Sequence, residues 1–383
     1  GVRTLLIIVN CPDFFLSHRK ELAIEAVNRG FEVVIATGDG DATREIVSLG
    51  FEHHHLRISR FNNSLVDEVL AAFDIFKLCH RLNPDLLHLV TLKPILYGGI
   101  TARLLRLPAV IFAVAGLGSV FVGGTVRYKA LRYLILWIFK FIFKHPNFKV
   151  IIQNSNDFKL FETCCNLRHD SMEMIKGSGV SLSIYKPSVK IKKSSTAVVL
   201  FAARLLKEKG ILDFIEAARI LNQKNMKLKF RVFGRLDNQS PRSVSYDVIQ
   251  SAVSENLIEY CGETNDVAKE MRRASIFVYP SYYGEGVPKV LLEAAACGLP
   301  IVTTDHPGCR DAILDNITGV LVPAKSPADL AFAIEQVLGD KSRLASMRES
   351  ARILAEQKFS VDEVVSSHIK IYHDILTKNK KHV

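Results

Sequence analysis

The chain has 383 residues, more than one hydrophobic core usually serves, so two domains are expected. Its apolar fraction of 48% excludes a disordered chain. The formal net charge of +11 points to an anionic partner: nucleic acid, acidic lipid or a phosphate-bearing substrate.

Seven scattered cysteines, none in a pair at zinc spacing, predict a reduced, cytosolic compartment. The first apolar run, Leu5–Val9, is too short for the core of a signal peptide and reads as a buried strand. No stretch approaches the roughly 20 apolar residues that cross a bilayer.

In chain order, short apolar runs alternate with helical stretches. The first series is Leu5–Val9, Val33–Ala36, Leu86–Val90, Val110–Val114 and Val150–Ile152. The second is Ala197–Phe201, Leu228–Phe233, Ile276–Val278 and Pro300–Thr303. Amphipathic segments such as Arg19–Arg29 and Gly210–Asn222 lie between them. Alternation of this kind predicts parallel sheets with crossover helices, here twice over. The polar, basic segment Lys186–Thr196 separates the two series. The expected domains are 1–186 and 187–360. The last helical segment, Val361–Lys378, has no strand after it, and whether 361–383 returns to the first domain is open.

Three adjacent histidines, His53–His55, invite a metal reading. On a strand they point to alternating faces and cannot easily share one ion, so no metal is expected. Gly116-x-Gly118 is no dinucleotide fingerprint, because residue 121 is Phe and the glycines follow a late strand.

Arg127–Lys149 holds six Lys or Arg, no Asp or Glu, seven aromatics and the only Trp. At helical spacing Lys129, Arg132, Lys140 and Lys144 share one face, with Tyr133, Leu136 and Phe143 among them. Leu131, Leu134, Ile138 and Phe141 share the opposite face, expected to be core. A face mixing cations with aromatics fits an anionic membrane surface. The plainer reading is a solvated helix with snorkelling lysines. No nucleic-acid-binding motif is present.

In the second series, a strand ends at Ala202–Ala203 and is followed by Arg204, then Lys209-Gly210 and an amphipathic helix. Two cations in one strand-to-helix loop suit a diphosphate leaving group. The alternative is two surface cations. Further on, a strand leads into Pro280–Pro300, with a helix beginning near Pro288, a residue suited to a first helical position, and ending at Gly298. Glu285 precedes that helix. Glu293 interrupts its apolar run, where an ionised carboxylate needs a partner: an internal one, or the hydroxyls of a ligand. The amides of Gly286, Val287 and Lys289 sit where a helix N-terminus meets anions.

These segments resemble glycosyltransferase family 4. EGVPKVLLE matches that family's E-x7-E signature, and AARLLKEKG its strand-end Arg and Lys. GSGV at Gly177–Val180 and TTDHPGCRDAI at Thr303–Ile313 fall in the family's order. The resemblance implies an α/β fold of GT-B type: two Rossmann-like, doubly wound domains facing across a cleft. It implies a retaining enzyme in which Arg204 and Lys209 hold the donor diphosphate and Glu285 contacts the donor sugar. Glu293 binds the ribose, the loop Gly286, Val287, Pro288 and Lys289 lines phosphate and sugar, and Thr264 and Asn265 lie near the base.

The segment VAGLGSVF, Val114–Phe121, resembles the subgroup that extends polyprenyl-diphosphate-linked bacterial oligosaccharides. There many members carry a His where this chain has Ala115. His18, read as opening the first helix, and Lys93 are candidates to face the cleft instead, with Gly116 and Gly118 on the acceptor side.

The sequence therefore predicts a hexosyl- or N-acetylhexosaminyltransferase that uses a UDP-sugar and needs no metal or other cofactor. The expected acceptor is a polyprenyl-diphosphate-linked saccharide. The expected location is cytoplasmic, peripheral on the inner face of the plasma membrane through Arg127–Lys149, with no nucleic-acid partner. The alternatives are a UDP-sugar epimerase of the same architecture and a non-catalytic nucleotide-sugar- or lipid-binding module.

Overall fold

The computed structural model describes residues 1–59, 64–117, 126–189, 196–284 and 286–378. Apolar runs buried on both faces become the inner strands of two parallel sheets, as such runs must where helices cover both sides. The first sheet holds β1 (Arg3–Val9), β2 (Phe31–Thr37), β3 (Glu52–His55), β4 (Leu86–Val90), β5 (Val110–Val114), β6 (Phe148–Ile152) and β7 (Met172–Met174). Its order is β3-β2-β1-β4-β5-β6-β7. The second holds β8 (Ala197–Ala202), β9 (Leu228–Phe233), β10 (Glu259–Tyr260), β11 (Ile276–Tyr279), β12 (Ile301–Thr304) and β13 (Gly319–Val322). Its order is β10-β9-β8-β11-β12-β13.

The chain forms two units, Gly1–Ser178 with Asp362–Val383, and Gly179–Val361. The division falls eight residues before the expected Lys186/Pro187 boundary. The reason is a local pairing: the Val180 N–H donates to the Phe359 carbonyl at 2.8 Å, and the Val361 N–H to the Val180 carbonyl at 3.0 Å. That pairing goes with residues 179–186, ahead of the expected boundary, belonging to the second unit. The expected linker, Lys186–Thr196, lies partly outside the described residues.

In the first unit one sheet face is covered by α4 (Leu65–Leu82), α5 (Leu92–Leu104) and α6 (Val126–Ile142). The helices α1 (Pro12–His18), α2 (Lys20–Asn28) and α14 (Val361–Lys378) pack on the other face. Ile369, Tyr372 and Ile375 of α14 are buried in one core with Leu5, Ile7 and Ile35, so the C-terminal helix returns to the first unit.

The orientation of α6 differs from the expected one. The residues it buries are Ile135, Phe139 and Ile142. Leu131 and Leu134, expected in the core, are exposed, while Ile138 and Phe141 only flank it. Leu136 and Phe143, expected among the outward cations, pack against that core. From Tyr133 to Phe139 the helix carries no charge on any side, so periodicity there does not single out one face. The aromatic packing of Phe143 on Phe112 (5.4 Å) and Phe148 (5.5 Å) does.

Candidate active site

In the second unit the strand order reverses between β8 and β11, the point where doubly wound sheets bind ligands beyond their strand ends. Two loops leave the sheet there. The first carries Arg204, whose Nη1 lies 3.6 Å from Asp237 Oδ2. The Ala203 and Leu205 N–H groups donate to the carbonyls of Phe233 (3.2 Å) and Arg235 (3.0 Å), so the ends of β8 and β9 run on together. This needs glycine at position 234: with φ 150°, a Cβ there would lie 1.8 Å from the Ala203 carbonyl oxygen.

Lys209 closes a single 3-10 turn, Lys207–Lys209, before α8 (Ile211–Gln223). Its Nζ stands 5.9 Å from the centroid of the Tyr279 ring. Gly210 follows with φ +84°, and a Cβ there would fall 2.2 Å from the Pro280 carbonyl oxygen. The two loops are also bonded directly. The Glu208 carbonyl accepts the Tyr282 N–H at 3.0 Å and the Ser281 hydroxyl at 3.1 Å. The buried Glu208 side chain pairs with Arg242 at 3.4 Å. Arg204, Lys209 and the loop before α11 (Lys289–Ala296) are thus held at one edge of one sheet.

Gly286, Val287 and Pro288 are buried. Pro288 is the N-cap of α11, not its first helical residue, which is Lys289. The first turn of α11 has no acidic residue and no side-chain cap, so no side chain of its own offsets the positive end of the helix dipole. Gly298, with φ +66°, lies just past its C-cap.

Glu293 has the internal partner that burial demands, a hydrogen bond from the Tyr185 hydroxyl. Burial pushes its carboxyl above the ordinary range, while Tyr185 and the charge of Lys289 oppose that shift. Burial and Glu293 together raise the Tyr185 phenol. Arg352 braces the pair, donating to the carbonyls of Tyr185 (2.9 Å) and Ala296 (2.7 Å). Nothing in the sequence points to Tyr185, which is remote in the chain from Glu293.

The loop of Thr264 and Asn265 meets the same sheet edge, because the Gly234 N–H donates to the Gly262 carbonyl at 2.8 Å. Thr264 Oγ1 accepts the Asp266 N–H at 3.1 Å, and Asn265 is exposed. Glu285 and Gly118 lie outside the described residues.

In the first unit His18 ends α1 instead of opening a helix, with its ring stacked on Phe14 at 4.0 Å. Lys93, near the start of α5, forms an ion pair with Glu68 of α4 at 2.5 Å, and the Tyr97 hydroxyl donates to the same carboxylate. Gly116 follows β5 with φ +102°. A feature without a sequence signal is Thr91, between β4 and α5, at φ 71°. Positive φ in a β-branched residue is uncommon and costly, and this one lies at the first sheet's own reversal point between β1 and β4. The three adjacent histidines go to three partners: His53 to Thr37 (2.8 Å), His54 to Glu52 (2.6 Å) and His55 to Asp39 (2.6 Å).

Residues 186–354 match the family model "Glycosyl transferases group 1", and residues 5–154 match "Glycosyl transferase 4-like". The chain is 27% identical to N,N'-diacetylbacillosaminyl-diphospho-undecaprenol alpha-1,3-N-acetylgalactosaminyltransferase of Campylobacter jejuni, covering 91% of this chain and 93% of that one. It is 24% identical to UDP-Gal:alpha-D-GlcNAc-diphosphoundecaprenol alpha-1,3-galactosyltransferase of Escherichia coli, covering 82% of each. Among solved structures, it is similar in fold to Anabaena HepE in complex with UDP, with a TM-score of 0.76 at 16% identity over 97% of this chain and 100% of that one. A glycosyltransferase from Rickettsia africae matches with a TM-score of 0.76 at 17% identity, covering 98% and 99%.

Proposed function

We propose, for a chain that belongs to the glycosyltransferases of GT-B fold, that it moves a hexose or N-acetylhexosamine from a UDP-sugar to a polyprenyl-diphosphate-linked saccharide. The observation that carries this is the pair Arg204 and Lys209 at the β8/β11 reversal point, bonded through Glu208 to the loop before α11. Two fixed cations beside a helix N-terminus suit a group on which negative charge grows. The Campylobacter and Escherichia coli relatives, named for transfer to undecaprenol-diphosphate-linked sugars, support the acceptor class. The Escherichia coli relative and UDP-bound HepE support the donor.

In this reaction the acceptor hydroxyl attacks the anomeric carbon on the face from which UDP departs, so configuration is retained. The carbon–oxygen bond to the diphosphate breaks, its electron pair leaves with UDP, and the acceptor proton passes to the departing phosphate oxygen. Arg204 and Lys209 stabilise the developing charge, so no metal is required. Glu293, with Tyr185, takes the ribose hydroxyls. Glu285 and the loop Gly286–Lys289 contact the sugar, Thr264 and Asn265 lie near the base, and Lys93 and Gly116 serve the acceptor. The lipid acceptor places the enzyme on the cytoplasmic face of an anionic membrane, reached through the cations of α6. No described helix is long and apolar enough to cross that membrane.

The test is UDP release from UDP-sugars with and without a short-chain polyprenyl-diphosphate saccharide, with the anomeric configuration of the product read by NMR. Acceptor-dependent release with retention is expected. Turnover of the donor with no acceptor product would identify an epimerase, and no turnover with any donor would leave only a binding module.

A further inference from the structure

Two helices of the first unit keep large apolar side chains in solvent where surface helices carry polar ones. On α6, Tyr133 and Trp137 are 74% and 68% exposed, with Tyr128, Leu131 and Leu134 exposed beside them. Arg127, Lys129, Lys140 and Lys144 share that surface, and no acidic residue occurs between Val126 and Lys149. On α4 the pattern recurs, with Lys77 and Arg81 exposed toward its C-terminal end. Leu65 and Phe73 are 83% and 56% exposed, and Val66 and Val69 lie with them on the side opposite the buried Ala71, Ile75 and Leu78. Both helices flank α5, and both follow strands of one parallel sheet, so their N-terminal ends lie at its ligand-binding edge.

The carboxylates of α4 would oppose an anionic surface, but each is engaged. Asp67 forms a capping box with Ser64 at the positive end of the helix. Glu68 is bound by Lys93 and Tyr97. Asp74 receives two bonds from the Arg57 guanidinium, at 2.6 and 2.9 Å, and the hydrogen bonding of Arg57 holds its carboxyl below the ordinary range. Over its first half, Leu65 to Phe73, the side chains α4 leaves outward and unpaired are apolar, with Lys77 and Arg81 exposed beyond them.

We infer that α4 is a second membrane-contacting helix, which works with α6 to seat the first unit on the bilayer at two places. The inference rests on the membrane reading of α6 and extends it to a second helix whose exposed stripe, Leu65 to Phe73, is apolar. The division of labour follows from composition. The α6 cations draw the protein to acidic headgroups within a Debye length, and its Tyr and Trp settle at the headgroup boundary. The α4 stripe adds salt-insensitive apolar burial. With helices packed 8–10 Å apart, the two contacts sit roughly 20 Å from each other across α5. One contact leaves the protein free to rotate on the membrane, whereas two fix the edge that carries Thr91 and Gly116 relative to the headgroup plane.

Trp137 is the only tryptophan, which makes the test direct. Vesicles of phosphatidylglycerol and acyl-brominated phosphatidylcholine should quench Trp137 in the natural chain. In the Trp137→Phe background, Phe73→Trp should be quenched over the same vesicle range. The triple variant Val66→Ser, Val69→Ser, Phe73→Ser should weaken vesicle binding about tenfold or more, with the loss persisting at high salt. Transfer to a short-chain soluble acceptor should be unchanged in every variant, which separates this inference from the transferase reading. An unquenched Phe73→Trp beside a quenched Trp137 overturns the inference, as does a concentration-dependent dimer that the triple variant abolishes, which would make α4 an interface between copies. Absence of quenching at both positions overturns the α6 reading with it.

Discussion

Acid should weaken the first unit through two buried imidazoles. His88 lies in the middle of β4, its Nδ1 2.5 Å from the Tyr372 hydroxyl of α14. His368, one turn earlier on α14, donates from Nδ1 to the Val364 carbonyl at 2.8 Å. Both rings are buried, and neither Nε2 has a hydrogen-bond partner among the described residues. The group facing them from the start of α2 is another cation, the buried Arg19, itself lowered to about 10 by loss of water. Burial, with the charge of Arg19, pushes His88 well below 6.5 and His368 down to about 3. Both imidazoles are held beneath their unfolded range, so the native state holds fewer protons below about 6.5, for His368 down to about 3, and stability is lost as pH falls through 6.5. Between pH 7 and 5.5 the difference is about 1 kcal/mol per ring, or about 2 kcal/mol for the two. The assay is hydrogen exchange of the α14 amides, with urea midpoints at both pH values. His368→Gln has its own stability cost, but it should remove about half of the pH dependence. An unchanged pH dependence in the His88→Gln, His368→Gln double variant would refute the reasoning, because the protons would then be binding elsewhere.

Arg204→Ala or Lys209→Ala should each lower turnover by about 100-fold, roughly 3 kcal/mol of transition-state stabilisation; near-normal turnover in both would remove them from the mechanism. Glu293→Gln should weaken UDP binding about tenfold by calorimetry, and Tyr185→Phe should weaken it less, since the carboxylate remains. Gly234→Ala should destabilise the second unit by roughly 2 kcal/mol or more and reduce UDP affinity in thermal shift, because its Cβ would meet the Ala203 carbonyl at 1.8 Å.

The alternation of apolar runs with amphipathic stretches determined the two parallel sheets by itself. An inner parallel strand such as β1 is buried on both faces, which favours a nearly continuous apolar run there. The short edge strands β3, β10 and β13 carry no such signal, since a strand with one neighbour can be polar or contain glycine. The loop chemistry was legible for the same local reason: Arg204 and Lys209 belong to one strand-to-helix loop, as do Gly286–Lys289. Strand order was not legible, and with it went the knowledge that β8 and β11 are neighbours and that Glu208 joins their loops. The Tyr185–Glu293 bond, the strain at Thr91, the return of α14 and the buried side of α6 likewise depend on partners far along the chain. A local pattern records which faces must leave water; only the tertiary structure decides what covers them.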